Sequence, residues 1–323
     1  MNGFIESKSP MRILCAGLFP ALQRTLILDA FQTGSVNRVR EVQFSIGGKA
    51  VNSARVLKTL GAEPLLFGFA GGDTGHTTAH LLDAEMLVHR FVRTDAPVRL
   101  CQTLMVNGAE DFTELVEECP ALPPAQWSLL EARFADLIKD DPPQAIIISG
   151  TLPAHASPET YARMLAAADG TPAPVLLDTS GPPLRAALVH HPALVKINAD
   201  ELFRTVGSRC PGTGEAKAIE QAARVLIAEG ATAVGITQGK QAAWLVTATC
   251  TTCFAIPSVD VISTLGCGDA VNAGFVFALQ HGNTLPDAFA FGLACGVSNA
   301  MHRLPGQIDP AHIDKLLAEI KTP

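Results

Sequence analysis

The feature that most constrains this chain is a repeating beat of short apolar runs separated by helix-length segments. The runs span residues 145–149, 175–178, 194–197 and 233–237, and they are rich in Ile, Val and Leu. They lack the polar alternation of a half-exposed strand, so each reads as a strand buried on both faces. Between them lie helical patterns such as residues 216–229, which stops at Gly230. Alternating strands and helices imply an α/β fold: a mostly parallel central sheet with helices on both faces. Ligands in such sheets bind beyond the carboxyl ends of the strands. A length of 323 residues is ample for a deep core, and 48% apolar against 17% charged residues excludes a disordered chain.

Two regions break the beat. Residues 22–44 and 98–116 carry extended, alternating patterns, and Asn107-Gly108 between 100–106 and 112–116 is a strong hairpin signal. These segments form either edge strands of the main sheet or a small antiparallel sheet standing off it. A separate sheet of that size needs an apolar partner, so it would serve as a lid or as a surface for a homodimer. The expected organisation is a flexible tail over residues 1–10 and one domain over 11–323, with lid segments inserted at about 20–46 and 96–118.

The net charge of −7 argues against nucleic acid and against anionic membrane surfaces as partners. There is no apolar run of the length that spans a bilayer. Residues 13–22 follow Lys8 and Arg12 and imitate a signal peptide, but Gly17 and Pro20 interrupt them and no small-residue cleavage site ends them. They read as a buried first strand. With no secretory signal, the eight cysteines are expected to be reduced thiols, most of them buried, in a cytoplasmic protein. Cys250-Thr-Thr-Cys253 has a metal-like spacing without the second pair that a zinc site needs.

The densest chemical signal is residues 263–274, which contain Gly266, Cys267, Gly268 and Asp269 and lead into an apolar helix. Two glycines let backbone N–H groups converge, and the helix start adds its positive dipole end. Such a pocket suits charge developing on a phosphoryl group, with Asp269 in reach of an attacking hydroxyl. The same residues also fit a plain helix cap preceded by a glycine turn. A dinucleotide fingerprint fails, because Val271 stands at the third glycine position. A P-loop is absent, since Gly47-Gly48-Lys49 is followed by Ala50.

The segments jointly resemble the ribokinase-like, phosphofructokinase-B family of carbohydrate kinases over residues 12–305, closest to the 1-phosphofructokinase and tagatose-6-phosphate kinase branch. The family's D-[S/T]-x-G-A-G-D signature is matched by Ser263 to Asp269, with Cys267 in place of Ala, and G-G-K-G-x-N-x-A by Gly47 to Ala54. Further matches are Gly71 to Gly75, Ser149-Gly150-Thr151-Leu152-Pro153, Asp178 to Gly181, Lys196 to Glu201 and Thr237 to Ala242. The resemblance implies a three-layer α/β/α sandwich with a small antiparallel β lid, and transfer of the γ-phosphoryl group of ATP to a sugar hydroxyl. It implies that Asp269 is the base and that the amides of Gly266, Cys267 and Gly268 hold the phosphoryl group. Gly48, Lys49, Asn52, Arg99, Ser149 and Gly150 would hold a sugar phosphate. Lys196, Asn198, Thr237, Gln238, Gly239, Lys240, Gln241, Ala242 and Gly268 would hold the nucleotide. Asn198 and Glu201 would hold Mg²⁺ through waters.

The pattern departs at three positions. Gln23 stands where the family's Asp grips sugar hydroxyls, and Cys101 and Thr103 replace an Asn and a Lys in the hairpin. These changes touch the acceptor and leave the nucleotide half intact. Fructose 1-phosphate and tagatose 6-phosphate lead as acceptors. A kinase for an unphosphorylated sugar or nucleoside, or a sugar-phosphate-binding regulator on the same fold, is the alternative. Elsewhere, His76 and His80 read as exposed helix residues, Trp127 and Trp244 as packing residues, and Glu114, Glu117 and Glu118 as a solvated face.

Overall fold

The computed structural model describes residues 11–108, 112–207 and 215–320. The expected tail over residues 1–10, and Cys210, lie outside the described residues.

Nine strands form the central sheet: β1 (Arg12–Ala16), β4 (Glu63–Gly71), β5 (Val88–Thr94), β8 (Ala145–Ser149), β9 (Val175–Asp178), β10 (Leu194–Asn198), β11 (Ala233–Thr237), β12 (Ala242–Thr247) and β13 (Thr251–Ala255). Their spatial order is β13-β12-β11-β10-β9-β8-β1-β4-β5. Pairing is parallel from β11 through β5, and β12 alone runs the other way. The four apolar runs of the sequence are β8 to β11, in adjacent positions. Residues 12–16 are an interior strand of the sheet, between β4 and β8.

Strand side chains alternate between two cores, which is why these runs are apolar at every position. Ala145 and Ile147 enter one core, Ile146 and Ile148 the other. The first core is closed by α1 (Lys49–Thr59), α8 (Cys267–Gln280), α9 (Leu285–Ala300) and α10 (Pro310–Glu319). The second is closed by α3 (Pro124–Asp140), α4 (Thr160–Ala168), α6 (Ala199–Val206) and α7 (Glu215–Ala228). Helix α7 buries Ile219, Ala222, Ala223 and Leu226, the 3–4 spacing of a single apolar stripe. Trp127 and Trp244 are buried packing residues, as expected, and His76 and His80 are exposed. Among the described residues no helix is long and apolar enough to cross a membrane.

The extended regions form a separate four-stranded sheet, not edge strands of the main one. It contains β2 (Ala21–Leu28), β3 (Glu41–Gly47), β6 (Arg99–Val106) and β7 (Phe112–Val116) in the order β3-β2-β6-β7. The expected hairpin joins β6 to β7, with Met105 opposite Phe112. The pairs β3–β2 and β6–β7 are antiparallel, and the central pair β2–β6 is parallel. That parallel join has no local signal, because its partners are brought together by different crossovers of the main domain.

The sheet reverses its direction of growth between β1 and β8. From β1 the chain adds β4 and β5 on one side, then β8 to β11 on the other. A crevice opens at such a switch point, beyond the strands' carboxyl ends. Helix α8 starts beside it and is held by α9 at backbone contact. A Cβ placed on Gly292 would lie 2.5 Å from the Val271 carbonyl oxygen and 3.0 Å from the Phe275 nitrogen. Neither atom can move without shifting α8. Gly292→Ala is therefore expected to destabilise the protein by about 2 kcal/mol, the range of core overpacking. A urea unfolding midpoint equal to that of wild type would contradict this contact.

Candidate active site

Two helix starts meet over the crevice, and both depend on glycine. Helix α1 follows Gly48 at φ 117°, and α8 follows Gly266 at φ 78°. These are left-handed conformations that other residues adopt at a cost. A Cβ on Gly266 would also lie 2.9 Å from Pro305 Cβ. The first-turn amides of α8, at Cys267, Gly268 and Asp269, precede any intrahelical acceptor and form the positive end of the helix. The cap of α8 is Gly266 itself, with no side-chain hydrogen bond. Asp269 is thus a first-turn residue and not a cap, which removes the plainest alternative for it.

Asp269 is 6% exposed, and its Oδ2 accepts a 2.8 Å hydrogen bond from Asn52 Nδ2 on α1. Ser53 Oγ donates to the Asp269 carbonyl at 3.0 Å, a second tie between the helices. Beneath them, at the carboxyl end of β9, Asp178 is buried between two cations. Lys49 Nζ lies 2.7 Å from its Oδ1, and Lys196 Nζ 3.6 Å from its Oδ2. Asn272 Nδ2 donates to Oδ2 at 2.6 Å. Gly268 sits directly on Lys196, since a Cβ there would be 2.5 Å from Nζ.

A cavity of about 880 Å³ lies between the lid and this cluster, lined by Gln23, Asn52, Arg99, Thr103, Lys196, Gly268 and Asp269 among others. A second cavity, of about 260 Å³, lies at the switch point and is lined by residues 17–20, Ser149, Gly150 and Tyr161. Gly48, Lys49 and Arg99 line both. The smaller cavity carries unpartnered polar atoms, because Ser149 Oγ and Arg99 Nε are buried without a hydrogen bond. Buried polar groups are nearly always paired, so these two atoms leave hydrogen-bonding capacity unused beside the cavity.

The sequence and the fold have counterparts among known proteins. Residues 14–307 match the model of the pfkB family carbohydrate kinases. The chain belongs to that family. It is 30% identical over 285 residues to a 1-phosphofructokinase of Borreliella burgdorferi, covering 88% of this chain and 90% of that one. Its fold is that of phosphofructokinase-2 from Escherichia coli solved with potassium, at TM-score 0.85 and 24% identity, over 96% of this chain and 98% of that one. A possible 1-phosphofructokinase of Thermotoga maritima superposes at TM-score 0.83 with 19% identity, over 97% of this chain and 99% of that one.

The chain is thus a sugar kinase of phosphofructokinase type, and its electrostatics suit proton transfer. Burial, then repulsion from Asp178, pushes the Asp269 carboxyl up to about 6, against the pull of Lys49, the Asn52 hydrogen bond and Lys196. Burial alone would also raise Asp178. There Lys196, Lys49 and the hydrogen bonds from Lys49 and Asn272 outweigh it and hold the carboxyl down at about 2. Burial works against a charged Lys49, but the fields of Asp178 and Asp269 keep its ammonium well above the ordinary lysine range. One carboxylate is fixed as an anion and its neighbour titrates near neutrality. That split separates a structural carboxylate from one able to exchange a proton.

On the nucleotide side the expected residues share the sheet's carboxyl edge without lining either cavity, Lys196 and Gly268 excepted. Asn198 and Thr237 pair between β10 and β11. Residues 237–242 form the turn into β12, with Gly239 at φ 55°. Asn198 and Glu201 form a capping box on α6, Glu201 N–H donating to Asn198 Oδ1 at 2.8 Å and Asn198 N–H to Glu201 Oε2 at 3.2 Å. Among the described residues no group of three or more His, Cys, Asp or Glu is placed to hold a metal. This donor set fits an ion that keeps its waters and leans on substrate phosphates, the habit of Mg²⁺. Lys196, expected beside the nucleotide, also stands under the Gly268 amide as part of the Asp178 cluster.

Sequence reasoning passed over the central role of Asp178. The available signal was a charged residue ending a wholly apolar strand, which survives burial only when paired. It also passed over Arg55, Asn272 and Asn299, which carry no motif of their own here. Asn299 Nδ2 donates to the Leu265 carbonyl at 2.8 Å, and its Oδ1 accepts from Gly306 N at 2.7 Å, fixing the glycine loop from behind. Asp178→Asn leaves the buried Lys196 ammonium and the part-exposed Lys49 ammonium without their shared counter-ion and is expected to cost about 3 kcal/mol, mostly through Lys196, the low end for breaking a buried ion pair. Urea denaturation without nucleotide checks this, and a loss below about 1 kcal/mol would contradict the pairing.

Proposed function

We propose that this protein transfers the γ-phosphoryl group of Mg·ATP to a hydroxyl of a phosphorylated hexose, with Asp269 as the base. The observation that carries the reading is a buried carboxyl, poised near neutrality, at the amide end of α8 and facing the same cavity as Lys49 and Arg99. Asp269 takes the proton of the acceptor hydroxyl as its oxygen bonds to phosphorus. The bond from phosphorus to the β,γ-bridging oxygen breaks, and ADP leaves. Proton transfer of this kind contributes about 10²–10⁴-fold. The amides of Gly266, Cys267 and Gly268 offset the charge on the phosphoryl oxygens. Residues 237–242, with Lys196 and Asn198, hold the nucleotide. Asn198 and Glu201 would hold Mg²⁺ through waters, and the ion would supply charge neutralisation to the transferring phosphates.

The acceptor's own phosphate occupies the smaller cavity, where Lys49, Arg99 and the unpaired Ser149 Oγ converge beside Gly150. Gly48 lets the backbone approach it, and Asn52 meets a sugar hydroxyl. The relative from Borreliella burgdorferi favours fructose 1-phosphate, with tagatose 6-phosphate second. Gln23 Nε2 donates to Thr103 Oγ1 at 2.6 Å, so two departures from the family pattern form one neutral pair against the sugar. Val42, Phe44 and Leu115 of the lid are exposed, and a second copy of this chain is the partner proposed to cover them. The neighbour from Escherichia coli has a tetrameric inhibited form. All seven described cysteines are free, which supports a cytoplasmic setting, but only Cys15, Cys101 and Cys295 are buried, and Cys250 is exposed, against the expectation that most would be buried.

Asp269→Asn is expected to keep nucleotide affinity and to lower kcat by about 10²–10⁴-fold. In wild type, kcat/KM should fall about tenfold per pH unit below about 6, because only the ionised carboxylate accepts the proton. More than about a tenth of wild-type kcat in the variant would remove Asp269 from the base role. A coupled ADP-release assay over a panel of sugar phosphates, free sugars and nucleosides should give its highest kcat/KM with fructose 1-phosphate. Saturable binding with no ADP release for any of them would mark a regulator instead.

A further inference from the structure

Arg55, on α1, is 7% exposed and spends every N–H it has. Nε donates to Glu85 Oε2 and Nη2 to Glu85 Oε1, each at 2.6 Å, a two-bond fork. Nη2 also donates to the Ile46 carbonyl at 2.7 Å, and Nη1 to the Pro305 carbonyl at 3.1 Å. The fifth bond runs from Nη1 to Asn52 Oδ1 at 3.3 Å. Glu85 ends α2 (Gly72–Ala84), Ile46 belongs to the lid strand β3, and Pro305 lies in the loop that follows α9. That loop also presses on Asn52, since a Cβ on Gly306 would lie 2.5 Å from the Asn52 carbonyl oxygen.

The consequence lies in the Asn52 amide. A guanidinium only donates hydrogen bonds and an ionised carboxylate only accepts them. Held between Arg55 and Asp269, the amide has one satisfactory orientation, with Oδ1 on the guanidinium and Nδ2 on Asp269 Oδ2. Turned over, it would set a carbonyl oxygen against the carboxylate and an amide N–H against a cation. We propose that Arg55 is a positioning residue that fixes the Asn52 amide as a donor to Asp269 and so keeps this carboxylate ionised and ready to accept a proton. It acts through Asn52 and ties that orientation to the base of the lid and to the loop after α9. The inference rests on the base role of Asp269.

Other charges face Asp269 as well: Asp178 from β9, Lys49 from α1, Lys196 from β10, and the Cys267 thiol from its own helix. Arg303 lines the same cavity. Arg55 differs from these in acting by geometry, so a variant that retains its charge isolates the effect. Arg55→Lys keeps the cation and loses the planar fork, because one ammonium cannot span Glu85, two carbonyls and Asn52. Losing a hydrogen bond to the charged form raises a carboxyl pKa. The acid limb of kcat/KM should therefore move up by about one pH unit in Arg55→Lys, with a smaller loss on the alkaline plateau. Glu85→Gln, which loosens the fork and leaves Arg55 in place, should move it the same way by less. In an Asn52→Leu background, Arg55→Lys should move the limb no further. A merely structural role would lower the whole profile without displacing it. A limb that stays at its wild-type position, in whichever of the two single variants folds, overturns the proposal. A wild-type profile with no limb removed by Asp269→Asn would instead overturn the base reading, and this inference with it.

Discussion

The Asp178 carboxylate, held between Lys49 and Lys196, is the interaction on which the rest of the site depends. An ionised group without partners could not stay at the end of a buried strand; it would take a proton or draw in water. With both lysines and Asn272 around it, the charge is retained, and it joins β9, β10, α1 and α8. Those four elements belong to different crossovers, so the cluster is where separate strand–helix units are locked into one frame. The same anion raises the proton affinity of Asp269 across the cavity. The ion pair and the titratable carboxyl are thus parts of one electrostatic arrangement, in which Asp178 acts on Asp269.

Placement of Asp269 is a packing result before it is an electrostatic one. Helix α8 is buried at every position from Asp269 to Ala278, and it meets α9 at backbone distance through Gly274, Gly292 and Gly296. Its first turn is trapped from three sides: Gly266 against Pro305 and Gly306, Gly268 against Lys196, and Asp269 against Asn52 and Ser53. A catalytic carboxyl needs positional accuracy of a fraction of an ångström. Here the hydrophobic packing of α8 provides most of it, and the polar contacts set the remaining torsions.

Most of the central sheet was legible because burial on both faces leaves a signature in each strand separately. Residues 145–149 need no knowledge of their neighbours to be read as a covered strand. The glycine loop before α8 and the start of α1 were legible for a similar reason, since their backbone conformations demand particular residues. The parallel pairing of β2 with β6 was not legible, because it is set by where the chain returns and not by either strand. Arg55 was not legible either. An arginine in the middle of a helix has no local pattern, and its five partners come from four different parts of the chain. The roles of Asp178 and Lys196 fall between these cases: the residues stood in recognised segments, but their mutual distance is a tertiary fact.

The lid bears the chain's own chemistry. Gln23 and Thr103 are neutral, lie on adjacent strands and satisfy each other, so a substrate that met only one would leave the other unpaired. Buried polar atoms without partners are costly, so under the proposed function such a pair would select by exclusion as much as by attraction. Lys49 and Arg99, the cations proposed to meet the acceptor, line both cavities. Under the proposed function, charge would be met where β6 begins and α1 starts, at Arg99 and Lys49, and hydroxyls further along the lid strands, at Gln23 and Thr103. On that reading, substitutions at lid-strand positions that line the larger cavity would alter the acceptor while leaving the contacts of Asp269 with α1 as they are.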